Sequence, residues 1–233
     1  MKQGLVLLNL KEELGEPVKG VFLKRKNRFV AIVKVNDDLH ECHISDTGRL
    51  TDVLTPEAEV MLINNRDGLK TAYKLVATKK DNLWVLTNTL LHSKIAKRII
   101  ELGLLGFKPK SIQTEVKLGN SRIDFLIDGY FYLEVKGVTL SKQHICLFPD
   151  APTERGTKHL KELTEALKQG FRTGVMMLCF VECDCFKPND SIDMDFSFSF
   201  QNAIERGVEF YGFSVSVVSP TWDIVVGANI GLC

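Results

Sequence analysis

The chain has 233 residues, 45% of them hydrophobic and 25% charged, a composition ordinary for a globular protein that buries a real core in one large domain or two small ones. The net charge of +1 excludes a global electrostatic pull towards nucleic acid, so any such contact must come from local patches. No apolar run is long enough to span a membrane, and the opening MKQGLVLLNLKEELGE meets Glu12 and Glu13 too early for a signal peptide; a cytoplasmic protein with no membrane partner is expected.

The first part reads as β-rich. GVFLKRKNRFVAIVKVND alternates apolar and basic residues between turn residues, which suits a strand or bent hairpin. LHECHIS, EVMLINN and TAYKLVATKKDNLWVLTN continue the pattern, with turn signals at Asp46-Thr47-Gly48, Pro56 and Asn64 to Gly68. Short strands at such intervals predict a small barrel over residues 1–87. The pattern changes near Asn88. LLHSKIAKRIIELGLLGF has the apolar spacing of a helix, and strand-like SIQTEVKL, RIDFLIDGYFYLEVKG and HICLFPD follow. TERGTKHLKELTEALKQG predicts an amphipathic helix ending at Gly170, TGVMMLCFVE a buried strand and SFQNAIERG a further helix ending at Gly207. VEFYGFSVSVVS and WDIVVGANIGL close the chain as strands, so residues 88–233 are expected to form an α/β domain.

The six cysteines form no C-x-x-C pair, and Cys183-Asp-Cys185 is too tight for a zinc knuckle. They are read as reduced, mostly buried thiols.

Charges inside the apolar strands from Arg122 to Gly137 need an explanation. Glu134 and Lys136 are two apart and share a sheet face. Asp124 lies on the preceding strand, and the turn signal between the strands is Asp128-Gly129. A two-residue turn would put Asp124 on the face opposite Glu134. A three-residue loop, Ile127-Asp128-Gly129 with Leu126 facing Tyr130, brings Asp124 onto the face of Tyr132, Glu134 and Lys136, and the odd-length loop, or a bulge of the same parity, is predicted. Charges on one face of an apolar hairpin are costly unless they are paired or bind a metal. Mg²⁺ or Mn²⁺ takes such carboxylates together with waters and phosphate oxygens, and a neighbouring lysine can orient the water or stabilise charge at phosphorus. A solvated charge cluster is the competing explanation.

SRIDF, LEVKGVTL, FPDAPTERGTKHLKEL and ERGVEF, with KRKNRFVA and CHISDTGRLTDVL in the first half, resemble the sugar fermentation stimulation protein A family over nearly the whole chain. The resemblance implies an N-terminal OB-like β-barrel and a C-terminal PD-(D/E)XK restriction-endonuclease-like α/β domain. It also implies DNA binding and a regulatory role in sugar utilisation. By the same resemblance Asp124 is the motif's first aspartate, Glu134 and Lys136 form its E-x-K, and Glu115 is a further acid on the preceding strand. Pro149-Asp150 follows the E-x-K and is a decoy. The chain departs from the family pattern at Gly137, where serine is usual, at Asp46, where asparagine is usual, and at Leu69-Lys70-Thr71.

The expected metal ligands are therefore Asp124, Glu134 and Glu115, the last of which could instead pair with Arg122. The expected catalytic set is Asp124, Glu134 and Lys136. Lys19, Lys24, Arg25, Lys26, Arg28 and Lys34 form a run without acids that could track phosphates, with Phe22 or Phe29 as stacking surfaces; solvated strand faces and core aromatics are the alternative. Arg155, Lys158 and His159 share a helix face that could clamp phosphate, His159 as a positioning donor more than a lone base, or could pair with Glu154 and Glu162. His43, Asp46 and Arg49 form a polar loop that either contacts ligand or satisfies its own backbone through Asp46. With Arg49 and Arg122, these basic residues complete the expected DNA interface. Two functions stay open: a Mg²⁺- or Mn²⁺-dependent DNA nuclease, and a non-catalytic DNA-binding regulator on a nuclease scaffold. A homodimer is the assembly considered.

Overall fold

The computed structural model describes residues 4–66 and 68–233. The chain divides into two compact units: Met1–Leu91 with Val215–Gly227, and His92–Ser214 with Ala228–Cys233. The sequence predicts a single cut near residue 88; instead the chain returns to the first unit near its end.

In the first unit, β1 (Leu5–Asn9) runs into a short helix α1 (Leu10–Leu14), whose Asn9 cap accepts from the N–H groups of Lys11 and Glu12. Then come β2 (Val18–Asn27), β3 (Val30–Val35), β4 (Asp38–His43), β5 (Glu59–Asn64), β6 (Tyr73–Lys80) and β7 (Leu83–Leu86). Strands β4-β3-β2-β5-β6 lie side by side, and a parallel β4–β6 pairing, Cys42 with Tyr73 and His43 with Lys74, closes them into a five-stranded barrel. Closure removes the exposed sheet edges, and the barrel fills with Phe22, Val33, Leu62 and Leu75, all nearly inaccessible. The β2–β3 ladder slips between Phe22 and Lys24 and again between Arg25 and Asn27. Each bulge re-aims the basic side chains that follow it. Of the turn signal Asn64 to Gly68, Asp67 lies outside the described residues; Asn65 holds the turn by donating to the carbonyls of Thr71 and Tyr73.

The second unit begins with α2 (His92–Glu101), entered through a 3-10 turn at Thr89–Leu91. It ends at Gly103, whose φ of 75° is the left-handed conformation that suits glycine. Next come β8 (Ile112–Leu118), β9 (Ser121–Ile127), β10 (Phe131–Val138), β11 (Leu140–Lys142), β12 (Ile145–Phe148), α3 (Glu154–Lys168), β13 (Arg172–Cys179), β14 (Cys185–Pro188), α4 (Met194–Glu205) and β15 (Glu209–Val218). β16 (Asp223–Asn229) and β17 (Gly231–Leu232) end the chain. The main sheet of this unit has the order β15-β13-β10-β9-β8. It is parallel across β10–β13–β15 and antiparallel across β8–β9–β10. A smaller sheet, β11-β12-β14-β17, stands beside a cluster of Phe186, Phe196, Phe200 and Phe210. The far end of β15 and the start of β16 belong to the first unit, where β16 pairs with β1 and Trp222 meets Trp84 edge-on at 5.3 Å.

The reading of the cysteines as reduced is corrected. Disulfides join Cys146 to Cys183 and Cys185 to Cys233, and only Cys42 and Cys179 are free. Two parallel pairings underlie this: β12–β14 sets Cys146 beside Phe186, near the loop that carries Cys183, and β14–β17 sets Cys185 beside Gly231, near Cys233, at Cα separations of 5.4 and 5.1 Å.

The β9–β10 turn is the local feature on which the site depends. Ile127 pairs with Phe131 and Leu126 with Tyr132, so the three-residue loop is Asp128-Gly129-Tyr130, one residue further along than expected, with the same parity. Asp128 moves it. Its Oδ1 accepts from the N–H groups of Lys110 and Ser111, both at 2.7 Å, and its own N–H donates to the Ser111 carbonyl. Asp128 and Gly129 both adopt positive φ, 53° and 74°. Asp128→Ala removes the acceptor for two N–H groups and is expected to cost about 1–2 kcal/mol in urea unfolding, whereas Asp128→Asn should recover part of that.

Candidate metal and nucleic-acid site

Strands β9 and β10 pair backbone to backbone only from the turn as far as Phe125 with Leu133. Beyond that point side chains replace the ladder. The N–H of Val135 donates to Asp124 Oδ2 at 2.7 Å, and the N–H of Asp124 faces Glu134 Oε2 at 3.4 Å. Continued in register, Asp124 stands directly across from Glu134. On its other side Asp124 stands across from Glu115, since Thr114 pairs with Phe125 and Val116 with Ile123. Glu115 has a φ of 54°, is exposed, and makes no ion pair with Arg122 among the described residues.

Glu134 is only 3% exposed. Its Oε1 is held by both Lys136 Nζ and His159 Nδ1. Burial pushes its carboxyl up, but the Lys136 charge and the His159 and Lys136 hydrogen bonds outweigh that and hold it below the ordinary range. Arg155 Nε donates to His159 Nε2 at 3.3 Å, so the imidazole accepts there and carries its proton on Nδ1, facing Glu134. The spacing of Arg155 and His159 on α3 is what allows this. Lys158 turns elsewhere, donating to the Asn120 carbonyl at 2.9 Å, while Glu162 accepts the Asn120 N–H at 3.0 Å.

Asp124 is the strained member of the set. Burial first, then the Glu134 charge, push its carboxyl up to about 7, with Glu115 adding to the rise and Lys136 and the Val135 N–H opposing it. Its Oδ1 makes no hydrogen bond among the described residues, and the long 3.4 Å contact is the only one at Glu134 Oε2. One oxygen on each of two facing acids is therefore unpaired or weakly paired, where burial and the facing charge make a second negative charge unfavourable. Hard, oxygen-seeking divalent cations suit such a donor set.

Sequence reasoning did not single out His92. Its ring is buried, stacks on Phe180 at 5.0 Å between centroids, and leaves Nε2 without a partner. Burial, then the Lys136 charge, push it down to about 4, so it is neutral at physiological pH. It occupies the space in which a side chain at residue 137 would stand: a Cβ there would lie 2.2 Å from His92 Cε1. The glycine one residue after Lys136 was the available signal.

The proposed phosphate-tracking run divides. Lys24, Arg28 and Arg49 are exposed. Arg25 is instead structural: its guanidinium donates to the carbonyls of Gly48, Arg49, Arg28 and Asp46, tying the 46–49 loop to the barrel. Lys26 pairs with Glu41, and Arg28 donates to the Thr47 carbonyl. Phe22 is 3% exposed and lies in the barrel core, so it offers no stacking face, whereas Phe29 is 49% exposed. Asp46 Oδ1 accepts the Gly48 N–H at 2.7 Å, the self-satisfying turn considered for that loop. Arg122 is exposed on β9.

An OB barrel joined to an α/β unit with an acid pair and a lysine on adjacent strands defines a two-domain protein with a candidate cation site. The model of the SfsA N-terminal OB domain matches residues 23–87, and that of the "sugar fermentation stimulation protein RE domain" matches residues 85–220. A sugar fermentation stimulation protein homolog of Thermosipho melanesiensis is 40% identical over 82% of this chain and 83% of its own length. One of Saccharolobus solfataricus is 36% identical over 100% of this chain and 91% of its own. The solved structure of Pyrococcus furiosus SfsA in complex with Ca²⁺ is 26% identical, covers 98% of this chain and 99% of its own, and superposes with a TM-score of 0.87. The chain belongs to the sugar fermentation stimulation protein family. No helix among the described residues is long and apolar enough to cross a membrane.

Two outcomes follow for the metal-free protein. The folded-state value of Asp124 lies above its unfolded value, so the stability that its proton confers is complete below about pH 4 and is lost as pH rises towards about 7. Asp124→Asn should therefore unfold later in urea than the parent chain at pH 8 in chelator, by on the order of 1–2 kcal/mol, with the difference closing at pH 4. A less stable variant at pH 8 would contradict this account of the site. Separately, Gly137→Ser is expected to lower stability by about 1–3 kcal/mol through its clash with His92, and His92→Ala combined with it should be less destabilising than the sum of the two.

Proposed function

We propose that this protein is a divalent-cation-dependent DNA phosphodiesterase whose second unit works as a PD-(D/E)XK nuclease-like domain. The observation that carries the reading is the facing pair Asp124 and Glu134 with Lys136 two residues on, brought together where the β9–β10 ladder opens. Asp124 Oδ1 and Glu134 Oε2 would hold Mg²⁺ or Mn²⁺; Glu115, expected from the sequence as a third acid, is exposed on β8 and its carboxylate does not converge with theirs. The Pyrococcus furiosus relative was solved in complex with Ca²⁺, which supports a cation in this fold. A bound cation supplies Lewis acidity and a water made acidic by coordination.

The chain's own groups do the rest. Lys136 orients the attacking water and stabilises charge at the phosphorus centre. His159 keeps Glu134 ionised and aimed through its Nδ1–H, and Arg155 keeps that tautomer in place. On the barrel, exposed Lys24, Arg28 and Arg49 attract the phosphate backbone, and Phe29 offers a face for a base. The second reading, a DNA-binding regulator without catalysis, draws on one observation: Lys136 and His159 already satisfy Glu134 Oε1 with no cation needed.

Labelled single-stranded, duplex and flapped DNA, incubated with Mg²⁺, Mn²⁺ or chelator, separates the two. Cleavage is expected only with a cation, and Glu134→Gln and Lys136→Ala should each reduce it roughly 10²–10⁴-fold while leaving DNA binding largely intact. Binding by all three proteins with no cleavage of any substrate would leave the regulator.

A further inference from the structure

Three sulfur atoms meet away from the carboxylate site. Cys146 on β12, Cys179 at the end of β13 and Cys183 in the following loop have their sulfurs within 4.8 Å of one another. Cys146 and Cys183 are joined, and Cys179 is a free, buried thiol beside them. A disulfide needs two cysteines; the third is unexplained by it. Among the described residues, Cys42, the other free thiol, belongs to no such cluster.

The cluster is held by more than its own bond. The β12–β14 ladder and the Asp184 N–H to His144 carbonyl bond at 2.7 Å fix the surrounding segments, and both persist when the disulfides are reduced. Cys146 and Cys179 are inaccessible, while Cys183 is half-buried and provides the approach. Thiolates bound to one ion at Zn–S distances of about 2.3 Å lie roughly 3.8–4.0 Å apart. The three sulfurs, all within 4.8 Å of one another, exceed that spacing by no more than about 1 Å, so opening the disulfide leaves three thiols near ligating distance.

We propose that in the reduced protein Cys146, Cys179 and Cys183 form a three-thiolate site for a soft cation such as Zn²⁺, and that the Cys146–Cys183 disulfide is its oxidised, metal-free alternative. A dithiol reductant donates two electrons and two protons to Cys146 and Cys183 and leaves as its own disulfide. Zn²⁺ then displaces one proton from each of the three thiols. Three thiolates select soft ions over Mg²⁺, which separates this site from the carboxylates.

The test uses the full chain, reduced without oxygen and titrated with Zn²⁺. Alkylation followed by mass spectrometry should show Zn²⁺ protecting Cys146, Cys179 and Cys183, with Cys185, Cys233 and Cys42 reacting at unchanged rates. Cys179→Ser should weaken Zn²⁺ binding at least tenfold, Cys185→Ser should not, and the oxidised chain should show no protection. Equal reactivity of the three thiols with and without Zn²⁺, or equal affinity in Cys179→Ser, overturns the proposal. Should reduction unfold the chain, the readout becomes Zn²⁺-driven recovery of its circular dichroism. Recovery in the parent chain but not in Cys179→Ser supports the site; equal recovery, or none in either, overturns it.

Discussion

The structure of the second unit turns on one substitution of partners. Where β9 and β10 stop bonding backbone to backbone, the Asp124 carboxylate takes the Val135 N–H, and the Glu134 carboxylate faces the Asp124 N–H. Buried N–H groups without acceptors are costly, so the strands can separate here only because acidic side chains stand in for the missing carbonyls. The acids are therefore structural, and among the described residues the opening leaves Asp124 Oδ1 without a hydrogen bond and Glu134 Oε2 with only the long contact to the Asp124 N–H.

Burying Glu134 creates a second requirement. An ionised carboxylate at 3% exposure must be paired. Lys136 comes from the same strand, but His159 comes from α3, whose position must then be secure. Thr153 caps that helix by accepting the Gly156 N–H, and Asp193 holds Thr153 in turn by accepting its N–H at 2.7 Å. Asp193 also caps α4 through the Phe196 N–H. One acid thus couples the starts of two helices. Lys158 and Glu162 grip both backbone groups of Asn120 in the β8–β9 turn. These separate sets of hydrogen bonds seat α3, and its seating presents His159 to the charged groups of the motif.

Parts of this were legible from residue order. Period-2 alternation puts Glu134 and Lys136 on one face, and an odd-length turn adds Asp124. The register itself was not legible, because it follows from Asp128 binding the backbone at Lys110 and Ser111, a partner eighteen residues away. The basic ribbon shows the same limit. Lys24, Arg25, Lys26 and Arg28 look equivalent in sequence, yet Arg25 is consumed by four carbonyls and Lys26 by Glu41. Charge type is local information; what a long side chain reaches is not.

Residue order alone was enough for a change of pattern near residue 88, most of the longer strands and helices, the shared face of the acids and lysine, and the helix spacing that lets Arg155 reach His159. These depend on local periodicity and turn chemistry, which act over a few residues. The folded chain was needed to show that the late strands return to the first unit, that four cysteines pair, that His92 fills the space over Gly137, and that Glu134 is shared between Lys136 and His159. Each of these joins residues distant in sequence or set by such a meeting, and the meeting is decided by sheet order and packing against the core, which no short window of residues contains.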